Sequence, residues 1–449
     1  MAEHEPFRFK TIEELRAKIA ALGLELPLDD DVSNLREPMQ IGHLTAPNRL
    51  IVQPMEGCDG TADGKPDTLT IRRYERFGAG GAGLLWFEAT AVVQEGRANP
   101  RQLLMVEANV PSFRDLLQRT LEVAAAANGA DFRPVTVLQL THSGRYARPV
   151  DKPAPVIAHH DGVLDKVYNI PPDHPLISDE ELDRLQDRYV EAAYCAKMAG
   201  FDAVDVKSCH RYLLSELLAS FTRPGRYGGS FENRTRFLLT VVDRIQKEVP
   251  GIMVTTRLNV YDGHPYPWGW GVSQESPKIP DLTEPLRLVQ LLAARGLKLL
   301  NVTAGNPYFT PEINRPFDVP IVGGKTPDEH PLEGVARIVH QARQVQGVVP
   351  DMVIIGSGFS WLRQYQGNAA AAVIRRRWMK MAGMGRGAFA YPDFARDLLT
   401  RGFLDPRKVC ITCSRCTQIM RDHGRTGCVI RDREVYGPIY AEGRARAKG

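Results

Sequence analysis

Lys207, His210 and Tyr212 follow one another at spacings of three and two, at the end of the short run Ala203–Lys207. An ammonium, an imidazole and a phenol can hold a carbonyl oxygen and deliver a proton, provided one turn presents all three to one pocket. The same trio also fits a surface lysine, a structural histidine and a core tyrosine. Cys410, Cys413, Cys416 and Cys428 form C-x2-C-x2-C-x11-C. Such spacing lets one loop offer three thiolates to a centre that a later residue closes. Four cysteines without histidine suit either a [4Fe–4S] cluster or a structural zinc. Iron–sulfur is the favoured reading, because zinc sites more often pair two C-x-x-C units. Two glycine-rich runs, Gly356-Ser357-Gly358-Phe359 and Gly383-Met384-Gly385-Arg386, could approach a phosphate closely, with Arg386 gripping it.

These residues need a frame. Ala203–Lys207 alternates as a strand does, with Ala203, Asp205 and Lys207 on one face and Val204 and Val206 on the other. Gly200 before it suits a helix C-cap. Similar runs at Asn48–Met55, Gly83–Thr90, Val135–Leu140, Met253–Leu258, Leu299–Thr303, Met352–Ile355 and Met379–Met384 complete eight expected strands. Helical stretches separate several of them, such as Phe231–Lys247, Leu286–Ala294 and one starting at a Ser178 capping box with Asp179, Glu180 and Glu181 in its first turn. The fold class is therefore α/β, a (β/α)8 TIM barrel with a C-terminal cysteine-rich segment. A barrel keeps its chemistry at the carboxyl ends of its strands. Phosphate sites commonly follow strands seven and eight, where the two glycine runs lie.

The division expected is a helical extension over 1–35, a barrel over 36–400 and a cluster-binding segment over 401–449. Thr11–Leu22 reads as a short helix with Thr11 and Glu14 as a capping box. Ala147–Pro175 is broken by Pro149, Pro153, Pro155, Pro171 and Pro172, which argues against long regular structure there. Tyr261–Pro280 carries Tyr266, Trp268 and Trp270 and reads as a lid or binding wall.

Composition bounds the partners. Of 449 residues, 43% are hydrophobic and 24% charged, as in globular proteins, and a net charge of +4 spread along the chain leaves no nucleic-acid footprint. No apolar run reaches about 18 residues, so no membrane span is expected. The charged N-terminus lacks a signal-peptide core, which points to the cytoplasm. With four of seven cysteines crowded into 410–428, metal binding is expected rather than disulfides. Cys195 reads as a core residue, and Cys58 and Cys209 as inert buried thiols near the site.

The stretch from Gly200 to Arg236, GFDAVDVKSCHRYLLSELL followed by RYGGSFENRTR, resembles the signature of the Old Yellow Enzyme family of flavoprotein oxidoreductases. The resemblance implies FMN as cofactor and NAD(P)H as a possible electron donor. It puts Lys207 and His210 at the two substrate-donor positions and Tyr212 at the proton donor, although the first position is usually His. It puts Gln139 on the flavin pyrimidine and Arg257 near N1/O2. Gln53, Pro54, Met55 and Glu56 would line the ring, with Ala89 touching it through its backbone; Glu56 stands where Thr or Cys is usual. Ser357, Gly358, Gly385 and Arg386 would then hold the phosphate. The cysteine segment is similar to that of the iron–sulfur branch, which includes 2,4-dienoyl-CoA reductases and trimethylamine dehydrogenases, and implies [4Fe–4S], with one residue fewer between the second and third cysteines. Those relatives continue into dinucleotide-binding domains, whereas this chain shows no convincing G-x-G-x-x-G.

The expected activity is that of an ene-reductase acting on an enone or enoyl thioester. The alternatives are a flavin-dependent dehydrogenase or demethylase, and an electron-transfer flavoprotein subunit. The expected partners are a small-molecule substrate, an electron-transfer protein and further copies of the chain in a homo-oligomer.

Overall fold

All eight expected strands form, and each runs parallel to its neighbours. The computed structural model describes residues 3–447. A hairpin of β1 (Met39–Ile41) and β2 (Leu44–Ala46) comes first. Then come β3 (Leu50–Val52), β4 (Leu84–Ala91), β5 (Val135–Thr141), β6 (Ala203–Val206), β7 (Met253–Thr255), β8 (Arg257–Asn259), β9 (Leu299–Thr303), β10 (Val353–Gly356) and β11 (Met381–Met384). Their order around the sheet is β7-β6-β5-β4-β3-β11-β10-β9-β8. β7 and β8 are two pieces of the fifth barrel strand, so nine segments make eight staves and the sheet closes as a (β/α)8 barrel. Helices Thr68–Ala79, Val110–Asn128, Asp179–Ala199, Phe231–Glu248, Thr283–Ala294, Pro331–Val348, Gln366–Arg375 and Phe394–Arg401 follow the staves in turn.

The fifth stave was expected unbroken over Met253–Leu258. It changes partner at Thr256: β7 pairs with β6, while β8 pairs with β9. The N–H of Arg257 leaves the ladder and donates to the carboxylate of Asp205 at 2.7 Å. The first stave is shorter than expected because Gln53 N–H makes the last bond, to Met384 O at 3.0 Å, and Pro54 has no N–H to continue.

Side-chain alternation sorts the core into two shells. Ile51, Leu84, Trp86, Val137, Ala203, Leu299, Ile355 and Met381 fill the barrel, and the hairpin residues Ile41 and Ala46 pack into the same cluster. Val204 and Val206 face the helices instead, so Asp205 and Lys207 stand on the inner face, as the alternation implies. The helix after β5 begins at the Ser178 capping box and ends at Gly200, whose φ of 103° demands glycine. The N-terminal helix, Ile12–Ala21, is capped by Thr11, but Glu14 accepts the N–H of Lys10 rather than that of Thr11. This extension packs on the barrel flank, with Phe7 edge-on to Trp361 and Asp29 bound to Arg375 and Arg376.

Between β5 and the following helix, Ala147–Pro175 holds one short helix, Leu164–Tyr168. The aromatic loop after β8 packs against protein. Trp270 is fully buried and donates to Asn259 O at 3.0 Å, Trp268 lies against Gly162, and Tyr266 meets Phe221 edge-on. None of the three aromatics borders the cavity beside Glu56 described below. Among the described residues no helix is long and apolar enough to cross a membrane.

Candidate active site

At the carboxyl end of β6 the backbone makes a turn that few L-residues adopt. His210 and Arg211 both take left-handed conformations, φ 64° and 59°. Such residues cost on the order of 1–3 kcal/mol each and persist only where surroundings hold them. Here Asn259 Oδ1 accepts from His210 N at 3.3 Å, and Ser215 Oγ accepts from Arg211 N at 3.3 Å. The buried Arg211 guanidinium is clamped by Asp161 at 3.1 Å, Asp262 at 3.3 Å and Trp268 O at 2.7 Å. Arg211 is thus the anchor that lets the turn spread its neighbours, a role no local signal disclosed.

The turn brings Lys207 and Tyr212 together with Glu56. The Tyr212 hydroxyl donates to Glu56 Oε1 at 2.9 Å and lies 2.7 Å from the hydroxyl of Tyr308. Lys207 Nζ is 3.6 Å from Glu56 Oε1 and 3.6 Å from the centroid of the Tyr212 ring. Burial pulls the Lys207 ammonium below its ordinary value, and Glu56 opposes that. Burial and the adjacent carboxylate both push the Tyr212 phenol well up, so it holds its proton at neutral pH. His210 stands apart from this contact. Its Nε2 meets Asn314 Nδ2 at 3.1 Å, and burial together with Arg257 and Lys207 keeps the ring neutral. Tyr308, after β9, was missed by sequence reading, as were Tyr146, whose ring packs against those of Tyr308 and Tyr168, and Tyr168, whose hydroxyl donates to Tyr308 O at 3.2 Å.

One barrel-core carboxylate organises the next layer. Asp205 accepts from Gln139 Nε2 at 2.6 Å, Arg257 N at 2.7 Å and Trp86 Nε1 at 2.8 Å. Burial still raises its pKa to about 6, despite these donors. Gln53 exchanges hydrogen bonds with the amide of Asn301 at 2.7 and 3.3 Å. Ala89 is buried, and its carbonyl accepts from Gln102 at 3.2 Å. Pro54 and Met55 follow Gln53, with Met55 Sδ 3.1 Å from where a Cβ on Gly385 would lie.

The glycine runs do more than open a path to an anion. A Cβ on Gly383 would fall 2.0 Å from Gln53 Nε2, and one on Gly356 would fall 2.4 Å from Met379 Sδ. A side chain at either position would thus displace Gln53 or Met379. Gly358, at φ 95°, turns the chain after Ser357. Beyond them Arg386 donates to Pro316 O at 2.7 Å and leaves its other terminal nitrogen buried without a partner. Arg315 and Arg257 likewise keep a buried, unpartnered guanidinium nitrogen. Burial and the charge of Arg386 bring Arg315 down to about 9. Buried cations with unmet donors are costly unless an anion completes them. Three such groups beside Gln53, Gln139 and the two glycine turns are a donor set that fits FMN, with its phosphate and its electron-accepting ring edge.

Cys410, Cys413, Cys416 and Cys428 line one small cavity with Arg386 and Arg431. The loop carries left-handed residues at Thr412 and Ser414, and backbone N–H groups of Thr412 and Arg431 donate to the sulfurs of Cys410 and Cys428, each at 3.4 Å. Among the described residues no three His, Cys, Asp or Glu side chains stand close enough to share a single metal ion. A mononuclear zinc needs its four sulfurs about 2.3 Å from one centre. The four thiols are free and border one cavity, and two of them accept backbone N–H groups. The segment is fastened to the barrel mouth by Arg72 and Arg76 on Asp432 and by Thr426 N donating to Gly57 O at 2.6 Å. Cys58, Cys195 and Cys209 are buried, and burial raises all three thiols.

A ribbon over residues 305–318 joins these parts. Asn314 holds His210, Pro316 O takes Arg386, and Asp318 N donates to Thr412 O at 3.2 Å. The Asp318 carboxylate accepts from Trp361 Nε1 and Arg363, each at 2.6 Å.

Residues 34–266 match the sequence profile of the NADH:flavin oxidoreductase / NADH oxidase family. An NADPH dehydrogenase of Halalkalibacterium halodurans is 32% identical over 209 residues, which are 45% of this chain and 56% of that protein. The match thus spans little more than half the length of that relative. Among solved structures, a 2-naphthoyl-CoA reductase in complex with 2-naphthoyl-CoA superposes with a TM-score of 0.70 at 20% identity, covering 91% of this chain and 58% of that one. An old yellow enzyme homologue from Zymomonas mobilis gives 0.62 at 20% identity, covering 83% and 94%. At such identities these two likenesses bear on the fold.

Proposed function

Because the chain belongs to the NADH:flavin oxidoreductase / NADH oxidase family, we propose that it is an FMN-dependent ene-reductase that reduces an activated C=C bond of a small carbonyl compound with electrons from NAD(P)H. The observation that carries this reading is the Tyr212 hydroxyl, held between Glu56 and Tyr308 beside the Lys207 ammonium. Gln53, Met55, Ala89, Gln139 and Arg257 would border the flavin ring, and Ser357, Gly358, Gly385, Arg386 and Arg315 its phosphate. Bound FMN supplies hydride chemistry.

The chain's own residues do the rest. Lys207 offers an N–H donor to a substrate carbonyl oxygen and stabilises the negative charge that grows there. His210, held neutral and fixed by Asn314, is the second polar group at the same turn. Tyr212 carries the proton for the α carbon, and its raised pKa keeps that proton on the phenol at neutral pH. Glu56 borders a cavity of about 280 Å³ and accepts from the Tyr212 hydroxyl, so a proton that its carboxylate takes up from solvent on the cavity side can pass on to the phenolate. Cys410, Cys413, Cys416 and Cys428 would hold a [4Fe–4S] cluster, supported by their common cavity and the N–H groups aimed at sulfur.

Anaerobic stopped-flow tests the reading. Protein reduced by NADPH or NADH is mixed with 2-cyclohexenone or an enoyl thioester. Tyr212→Phe should slow reoxidation about 100-fold or more, the scale of losing a general acid, while reduction by the nicotinamide stays within about twofold. Reoxidation by no alkene, together with flavin reduction by an amine, would reverse the assigned direction and make the protein a dehydrogenase.

A further inference from the structure

The cavity bordered by Glu56 is lined by four arginines, Arg101, Arg145, Arg148 and Arg421, against two carboxylates, Glu56 and Asp151. Tyr146, Tyr168 and Tyr308 line it, and Arg101, Arg148 and Arg421 reach it from the loops after β4 and β5 and from the cysteine segment. Each of these guanidinium groups meets only neutral acceptors. Arg101 donates to Cys58 O at 2.9 Å and His423 O at 2.7 Å. Arg148 donates to Asp151 O at 2.9 and 3.2 Å and lies 3.0 Å from His423 Nε2. Arg421 donates to Tyr308 O at 3.0 Å and keeps its Nε buried without a partner. Among the described residues none of the three is paired with a carboxylate. Arg145, which lines the same cavity, differs in being matched by Asp165 and Glu216.

The contrast across the 305–318 ribbon sharpens the point. A cavity of about 510 Å³ on its other side is bordered by Glu312, Asp328, Glu329 and Glu333 against Lys278 and Arg337. Charge is sorted between the two openings, and only the basic one ends on Glu56 and Tyr308. Tyr308 separates it from Tyr212 by a single hydroxyl–hydroxyl contact of 2.7 Å. A guanidinium fork matches a carboxylate or a phosphate in two hydrogen bonds, and the tyrosine wall suits an apolar or aryl linker. At about 280 Å³ the cavity lies just below the range of about 300–1,000 Å³ for drug-sized ligands, so it suits one end of a molecule.

We propose that this cavity is a binding subsite for an anionic substituent, carboxylate or phosphate, on a substrate whose reacting end lies at Tyr212. The assignment rests on the ene-reductase reading for the identity of the reacting end, but the anion preference is measurable without it.

Isothermal titration of the full chain with 3-phenylpropanoate, phenyl phosphate and the neutral 3-phenylpropanamide tests it. At least one anion should bind about tenfold more tightly than the amide, with affinity falling as salt is added. Arg148→Gln and Arg101→Gln should each remove most of that preference while leaving amide binding intact, which also reports that the variant is folded. Arg148→Lys should keep part of the preference. The two anionic arms show whether carboxylate or phosphate is the better match. Equal affinity for amide and both anions, or anion binding unchanged in both glutamine variants, overturns the proposal. An anion preference in a protein that reduces no alkene would refute the ene-reductase reading and leave the subsite standing.

Discussion

Asp205→Ala strands three buried donors at once. Trp86 Nε1, Gln139 Nε2 and Arg257 N lose their shared acceptor in the barrel core. A buried donor left unsatisfied costs about 1–3 kcal/mol, so the variant should lose roughly 3 kcal/mol or more where Asp205 is protonated. The deficit has a definite pH dependence. Burial lifts the folded-state value from 3.8 to about 6, so the native state binds the proton more tightly than the unfolded chain. The stability tied to that proton is fully present below 3.8 and is lost as pH rises through 6. At about 1.36 kcal/mol per unit, wild type gives up about 2 kcal/mol of it between pH 4.5 and 7. Asp205→Ala has no such group, so its deficit should shrink by about that amount over the same interval. Urea unfolding followed by tryptophan fluorescence at a series of pH values measures both numbers. A deficit that grows with pH, or a variant within about 0.5 kcal/mol of wild type at pH 4.5, would refute the idea that Asp205 is a buried, proton-binding hub.

Two more expectations concern the chemistry itself. Lys207→Met should reduce alkene-driven reoxidation by the equivalent of about 2–4 kcal/mol of transition-state stabilisation, with Lys207→His keeping more activity than Met; equal single-turnover rates for Met and wild type would make Lys207 a spectator. Anaerobically purified protein should contain iron and acid-labile sulfide, and Cys413→Ala should lose both, whereas stoichiometric zinc in the wild type would contradict the cluster assignment.

The barrel was legible because its staves are short apolar runs of the right length, bounded by turn residues and separated by helical periodicity. The inward face of β6 could be read from alternation alone, since Asp205 and Lys207 share parity with Ala203. The β1–β2 hairpin escaped notice because three-residue strands carry no period. The break at Thr256 escaped too, because a partner switch depends on barrel closure and leaves Met253–Leu258 reading as one run. Tyr308 lies 96 residues from the hydroxyl it meets, and Arg315 acquires its meaning only beside Arg386; neither neighbourhood has a local signature. Tyr266, Trp268 and Trp270 were read as part of a lid or binding wall, because an aromatic loop has the same composition whether it faces a ligand or its own neighbours. The aromatic wall beside Glu56 instead comes from Tyr146 and Tyr168 of the connection after β5 and Tyr308 of the loop after β9.

The ribbon over 305–318 has one further consequence. Asn314, Pro316 and Asp318 engage His210, Arg386 and Thr412 within five consecutive residues. Consecutive Cα atoms lie about 3.8 Å apart, so this stretch has almost no slack between its three moorings. Most surface loops tolerate an added residue, because their ends can take it up in a wider arc. Here an insertion would pull at least one mooring out of reach, so the length of the ribbon is held as tightly as the identity of its side chains.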